Sequence, residues 1–314
     1  MRMCAIPARL YRDVFLERRY FPDTPVSRHW GRRALGAALL AACGGGCALG
    51  TAVWLWQRWP GSWWLVTGGL LACLRLAWAT VVPALVIPRV AVSAPLSRTS
   101  LSTRLASLAA RTGAPAPRVL RWTVDGHPDR AQAALAGIGG GRFILLSDGL
   151  LEAYSDDEIE VVVAHELAHA AHGDIWMTLA ARVALDLTGL WGLGLVWPEV
   201  ASWLGALSPP TAVDLGAVVL AGWAWLGTSA PVLHGLARWQ ERRADACALS
   251  VTGRPDAFLT ALRRLKQEHL ADDSTPALVH WWTQSHPRIA ERVAMAEAFT
   301  RRSSSRATLS PGRM

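Results

Sequence analysis

Lysine is almost missing from this chain. Lys266 is the single example among 314 residues, so the net charge of +8 is carried almost entirely by arginine. Charged residues of all kinds amount to 18%, against a hydrophobic share of 52% and 17 tryptophans. That balance excludes an ordinary water-soluble globular protein and points to membrane spans beside a polar portion. The five cysteines (Cys4, Cys43, Cys47, Cys73, Cys247) have no zinc-ribbon spacing, and three of them lie in apolar runs. They exclude a disulfide framework and read as small apolar filler. No basic patch is interleaved with stacking aromatics, so the arginine excess does not indicate nucleic acid. It flanks apolar runs instead, as contact with anionic headgroups and topology signalling require. The basic opening segment is too long for an ordinary signal peptide, and no small-residue cleavage site follows the first apolar run. No internal repeat is visible.

What is present is a set of four apolar runs. Residues 1–33 form a basic segment with eight arginines against three acids, and residues 34–57 then carry no charge. A run of that length can cross a bilayer as a helix despite Gly44-Gly45-Gly46. Residues 62–88 form the second run, interrupted by Arg75 and Pro83. An arginine at that depth should face protein rather than lipid. Residues 175–197 form a third, apolar apart from Arg182 and Asp186, and 215–237 a fourth without formal charge. The third run can also be read as a buried helix packed beside a catalytic unit. Asp186 is expected to pair with Arg182, one turn away, or with Arg75. Arginines cluster before the first run, after the second and after the fourth, while the short connections hold only Arg58. The positive-inside rule therefore places both termini and the middle soluble segment in the cytoplasm.

Between the second and third runs the composition is that of a soluble segment. "SLSTRLASLAARTG" has helical apolar spacing and ends on Gly113, whereas "RVLRWTV", "RFILLS" and the weaker "AQAALAGIG" read as strands. Ser155 followed by Glu158 is a capping box, and Asp156 and Asp157 suit the positive end of the helix it opens. That helix carries "VVVAHELAHAAHGD". His165 and His169 are four apart, so both imidazoles reach one side, and Glu166 stands beside them where it can take a proton from water. A catalytic zinc needs a third protein ligand. The metzincin position, ten residues after the first histidine, is Ile175, which excludes that arrangement. A glutamate on a later helix is the alternative, and "RWQERRADACAL" offers Glu241 with Asp245 one turn on. Glu241 would ligate, and Asp245 would accept from the far nitrogen of a ligating histidine. His172 remains a reserve ligand or a plain surface residue. Residues 238–300 read as helices separated by "VTGRPD" and "ADDSTPALVHWWTQSHP", and residues 301–314 as a disordered basic tail.

"VVVAHELAHAAHGD", "ERRAD" and "SHPRIAERV" together resemble the HtpX-like and CAAX prenyl protease group of integral-membrane zinc metalloproteases. The resemblance covers roughly residues 95–298, and two runs on either side of the motif resemble the shorter HtpX-type layout. It implies a mainly α membrane protein. About four transmembrane helices would carry a cytoplasmic gluzincin-type α+β metalloprotease domain with a small β-sheet. It also implies one Zn2+ per chain held by His165, His169 and Glu241, Glu166 as general base, and Asp245 as the orienting carboxylate. His286-Pro287 falls on the group's histidine-proline motif, making His286 a donor to the oxyanion, and Arg292 falls on its later arginine. Gln132-Ala133 stands where the group has Asn-Ala at a substrate-aligning strand, and Arg288 replaces a second proline.

The function expected from these residues is a zinc endopeptidase of a bacterial-type cell membrane. Its partners would be the lipid bilayer and polypeptide substrates, membrane or misfolded proteins above all, and no nucleic acid. Two alternatives stand beside it. One is a signal-transducing membrane protease that cleaves a regulator, which the missing external sensor domain disfavours. The other is a catalytically silent zinc-binding scaffold, which an intact Glu166 disfavours.

Overall fold

The computed structural model describes residues 30–85, 94–96, 98–114, 118–122, 131–136, 142–203, 212–268 and 275–308. They fall into two compact units, one of residues up to 76 with 180–230, the other of 77–179 with residues from 231 on. The expected basic segment lies mostly outside the described residues.

The first unit is helical. The first two apolar runs fall on α1 (Trp30–Arg58) and α2 (Trp63–Leu85), and the third on α6 (Asp174–Trp203). The fourth lies in α7 (Ala212–Thr252), a helix of 41 residues. At 1.5 Å per residue α7 is about 60 Å long, twice the hydrocarbon thickness of a bilayer. Among the described residues, three helices are long and apolar enough to cross a membrane: Trp63–Val81 in α2, Asp174–Trp203 in α6, and Gly216–Thr252 in α7. None of the α6 apolar window is buried, unlike a core helix.

Small residues let these helices approach closely. A Cβ on Gly68 would fall 2.3 Å from the Leu187 side chain, and one on Gly189 would fall 2.4 Å from the Trp225 indole. Trp225 Nε1 in turn donates to the Leu185 carbonyl at 3.1 Å. Trp56 stacks on Trp63 and meets Trp197 edge-on. Of the two pairings open to Asp186, the structure forms that with Arg75, bidentate at 2.7 and 3.0 Å. Removing either partner leaves a charge among apolar helices. Asp186→Ala should therefore lower the thermal midpoint in detergent by several degrees, and an unchanged melting curve would count against the pair.

The second unit builds the sheet. β1 (Ala94–Pro95), β2 (Arg118–Trp122), β3 (Ala133–Ala136) and β4 (Phe143–Ser147) lie in the order β1-β2-β4-β3. β2 runs parallel to β4, and β1 and β3 are antiparallel to their neighbours. The three expected strands are present. β1 is an addition that two residues without alternation could not announce. β3 is an edge strand among the described residues.

α3 (Thr99–Thr112) ends, as its glycine requires, at Gly113 with φ 69°. α4 (Asp148–Ala153) leads into α5 (Asp156–His172), where the Ser155–Glu158 capping box is complete. α8 (Pro255–Glu268), α9 (Ala277–Thr283) and α10 (Ile289–Thr308) follow α7. α5 is buried on two sides. Ile159, Val163 and Leu167 join Leu101, Leu105 and Leu108 of α3 and Ile144 and Leu146 of β4 in one core. Val161 joins Leu249, Phe258, Leu262 and Ala296 in another. The helix that carries the histidines is thus clamped between the sheet layer and the C-terminal helices.

An ionic cluster reinforces this clamp. Glu160 accepts from Arg104 and Arg111, while Arg104 also reaches Asp157. Donating to Glu160 and then Asp157 raises the Arg104 pKa, and Arg104 holds the Asp157 carboxyl below its ordinary value.

Two expectations are corrected. α9 is a helix inside what the composition marks as a linker. The tail read as disordered is helical through Thr308, with 309–314 outside the described residues. Residues 301–308 contain neither proline nor glycine. Ser303, Ser304 and Ser305 each bond the carbonyl four residues back, so these hydroxyls extend the helix rather than compete with it.

Candidate metal centre

The spacing of His165 and His169 on α5 brings their Nε2 atoms to 3.1 Å. Glu241 projects from α7 towards the same point, its carboxylate 3.4 Å from His165 Nε2 and 3.6 Å from His169 Nε2. Donors 2.0–2.2 Å from a tetrahedral divalent ion stand about 3.3–3.6 Å apart; the two separations to Glu241 fall in that range and the 3.1 Å between the imidazoles lies just below it. The three residues form the one group of this kind among the described residues, and His172 is outside it.

Each imidazole is oriented from behind. Asp245, fully buried one turn beyond Glu241, takes His165 Nδ1 at 2.9 Å. Being a carboxylate it accepts, which places a proton on Nδ1 and turns Nε2 towards Glu241. Arg292 of α10 donates to both Asp245 oxygens at 2.6 and 2.7 Å. Asp174 does the same service for His169, meeting its Nδ1 at 2.7 Å. Arg243 donates to the other Asp174 oxygen, and Gln240 donates to the Asp174 carbonyl at 3.2 Å. Burial works against a charge on His165, but the Asp245 and Glu241 carboxylates outweigh it and push its pKa up to about 10. The site is electronegative and favours a cation. Burial, with Arg243 nearby, moves the His172 pKa the other way, below its ordinary value.

The remaining expected residues divide by position. Glu166, half-buried, lines a cavity of about 450 Å³ together with His165, His169, Glu241, His286 and Arg292. His286 is largely exposed, and its Nδ1 lies 3.1 Å from Glu241. Gln132 and Ala133 line the same cavity at the start of β3. Gln132 is pinned there, its N–H bonded to Ser147 Oγ at 2.7 Å and its carbonyl to the Ser147 N–H at 2.9 Å. Eight of the nine residues singled out from the sequence therefore line one cleft, and the ninth, Asp245, is buried behind His165.

Asp174 is the residue the sequence reading missed. Its five-residue spacing from His169 is wrong for one helical face. Gly173, at φ 68°, ends α5 in a left-handed cap and turns the chain so that the carboxylate returns to the ring. The "HGD" at the end of the motif was the available signal, since a glycine at a helix end marks such a reversal.

Several known proteins are similar to this chain. The uncharacterised metalloprotease YhfN of Bacillus subtilis is 25% identical over 248 residues, 78% of this chain and 58% of that protein. A protease HtpX homologue of Gemmatimonas aurantiaca is 29% identical over 180 residues, 50% of this chain and 61% of its own length. A CAAX prenyl protease 1 homologue of Caenorhabditis elegans is 28% identical over 153 residues, 46% and 33% respectively. The matched part is thus less than two thirds of each relative. Ste24p of S. mikatae, known from a crystal structure, shares the fold. Its TM-score is 0.78 at 18% identity, over 94% of this chain and 72% of that one. The sequence signature of Peptidase family M48 matches residues 95–300, an interval that contains the grouped histidines and glutamate and both carboxylates behind them, and the chain belongs to that family.

Proposed function

We propose that this protein is a membrane-embedded zinc endopeptidase in which His165, His169 and Glu241 hold the metal and Glu166 is the general base. The observation that carries the reading is the convergence of three donors at 3.1–3.6 Å, with both far imidazole nitrogens held by carboxylates. Two histidines and one carboxylate with an open position suit zinc. Bound there, zinc supplies Lewis acidity, lowering the pKa of water towards about 7 and polarising a carbonyl.

The chain's own groups do the rest. Glu166 takes a proton from the attacking water and returns one to the leaving amine. His286 donates to the oxyanion. Its Nδ1 donates to the Glu241 carboxylate, so Nε2 serves as the donating atom when the ring carries both protons. Asp245, braced by Arg292, and Asp174, braced by Arg243, hold the two ligand rings in register. The open edge of β3, beginning at Gln132-Ala133, aligns an extended polypeptide by backbone hydrogen bonds.

Four membrane-spanning helices, α1, α2, α6 and α7, with the cleft and both termini in the cytoplasm, agree with the arginine distribution. Damaged or misfolded membrane proteins are the substrates that the HtpX-like resemblance favours.

Detergent-purified protein should contain a single zinc ion per chain and degrade unfolded casein in a chelator-sensitive way. Undiminished cleavage after chelation, or a preparation that retains no metal at all, would sink the reading.

A further inference from the structure

α9 is a short helix turned inside out. Its sequence is "ALVHWWT", and none of its residues is buried. Leu278 is 70% exposed, Trp281 48% and Trp282 40%. Its backbone is nevertheless firmly held. Arg238, itself buried, donates to the carbonyls of Trp281 and Gln284, and His234 Nδ1 bonds the Trp282 carbonyl at 2.6 Å. The fold thus fixes the main chain of an apolar helix while directing its large side chains outward.

The place where it is fixed identifies what covers it. His234 and Arg238 flank the end of the uncharged run 215–237 on α7, the point at which that helix changes from apolar to arginine-rich. Exposed aromatics gather at the same level. Trp239 follows directly on α7, with the Arg243 guanidinium 4.2 Å over its ring. Ile175 and Trp176 are exposed at the start of α6. That start is tied to α7 by Thr178 Oγ1 donating to Gln240 Oε1, and by Gln240 donating to the Asp174 carbonyl. Tryptophans at the end of an apolar span, with arginines just beyond, are the composition of a membrane–water interface. Their rings bury an apolar body while a polar tip stays wet.

We propose that α9 is an interfacial lipid-contacting helix whose Leu278, Trp281 and Trp282 enter the boundary between headgroups and acyl chains. This rests on the membrane reading given above. It also fixes the depth of the candidate site. Glu241 is three residues beyond Arg238, about 4.5 Å along the helix, and His286 is two residues past the Gln284 cap of α9. The cleft therefore opens at the membrane surface, where polypeptide segments lying at or leaving that surface reach it directly.

The test places a fluorophore at single cysteines in otherwise cysteine-free protein. The variants are Trp281→Cys, Leu278→Cys, Leu220→Cys and Ser250→Cys, reconstituted in phosphatidylcholine–phosphatidylglycerol vesicles. Lipids carrying a nitroxide at a shallow or a deep acyl position serve as quenchers. Positions 281 and 278 should be quenched roughly twofold or more, and more by the shallow probe. Position 220, mid-run, should respond more to the deep probe. Position 250, about 18 Å beyond Arg238 on the same helix, should respond to neither. Quenching at 220 with none at 281 and 278 overturns the inference, whether water or another protein covers α9. No quenching at 220 overturns the membrane reading itself, and the inference falls with it.

Discussion

Glu166→Gln is expected to retain zinc at wild-type stoichiometry while peptide-bond hydrolysis falls by about 10²–10⁴-fold, the usual worth of a positioned proton-transfer group. The substitution is nearly isosteric and removes the basicity alone. Glu166 is outside the His165–His169–Glu241 group and is half-buried on the cleft wall, so neither metal affinity nor packing should change appreciably. Metal content, thermal midpoint and casein cleavage measured on one preparation separate these effects. A variant that binds zinc and still cleaves at the wild-type rate excludes Glu166 as the base. One that loses zinc shows instead that the carboxylate belongs to the ligand set.

The second large effect is expected at Asp245. Its carboxylate is completely buried and binds both Arg292, through two bonds, and His165. Asp245→Ala leaves the Arg292 guanidinium, itself mostly buried, without its counter-charge. Breaking such a pair from one side costs about 3–5 kcal/mol. The same substitution frees the His165 ring, and loss of a partner behind a ligand typically weakens metal affinity about 10–100-fold. Two readouts follow: the thermal midpoint in detergent under chelation, and the zinc dissociation constant. The double variant Asp245→Ala/Arg292→Met removes the orphaned charge and should recover part of the stability but none of the zinc affinity. A midpoint unchanged in the single variant would falsify the buried-pair account.

These predictions rest on features that were legible to different degrees. HExxH and the Glu241–Asp245 pair could be read directly because each is a local pattern on one helix, and the helical period fixes what shares a face. The capping box at Ser155 and the glycine stop at Gly113 were readable for the same reason. Gln132-Ala133, His286 and Arg292 came from resemblance alone, since nothing in their spacing announces a cleft. Asp174 went unread although it stands inside the motif, because its role depends on a chain reversal at Gly173. The pairing of Asp186 was open between Arg182 and Arg75, and helical spacing alone favoured the partner one turn away. The structure joins it to Arg75, 111 positions distant in the chain.

The sequence by itself determined the apolar helices, the two half-sites and the chemistry they can support, because hydrophobic periodicity and side-chain identity act over a few turns of backbone. Only the tertiary structure decided which carboxylate stands behind which histidine, and that an apolar helix in an apparent linker is held by α7 with its tryptophans outward. Asp174 reaches His169 only through the reversal at Gly173, while the His165–Asp245 and α7–α9 contacts join residues tens of positions apart. The long-range ones depend on how α5, α7 and α8 cross, which the packing of Val161, Leu249, Phe258 and Leu262 holds, and no local pattern encodes that crossing.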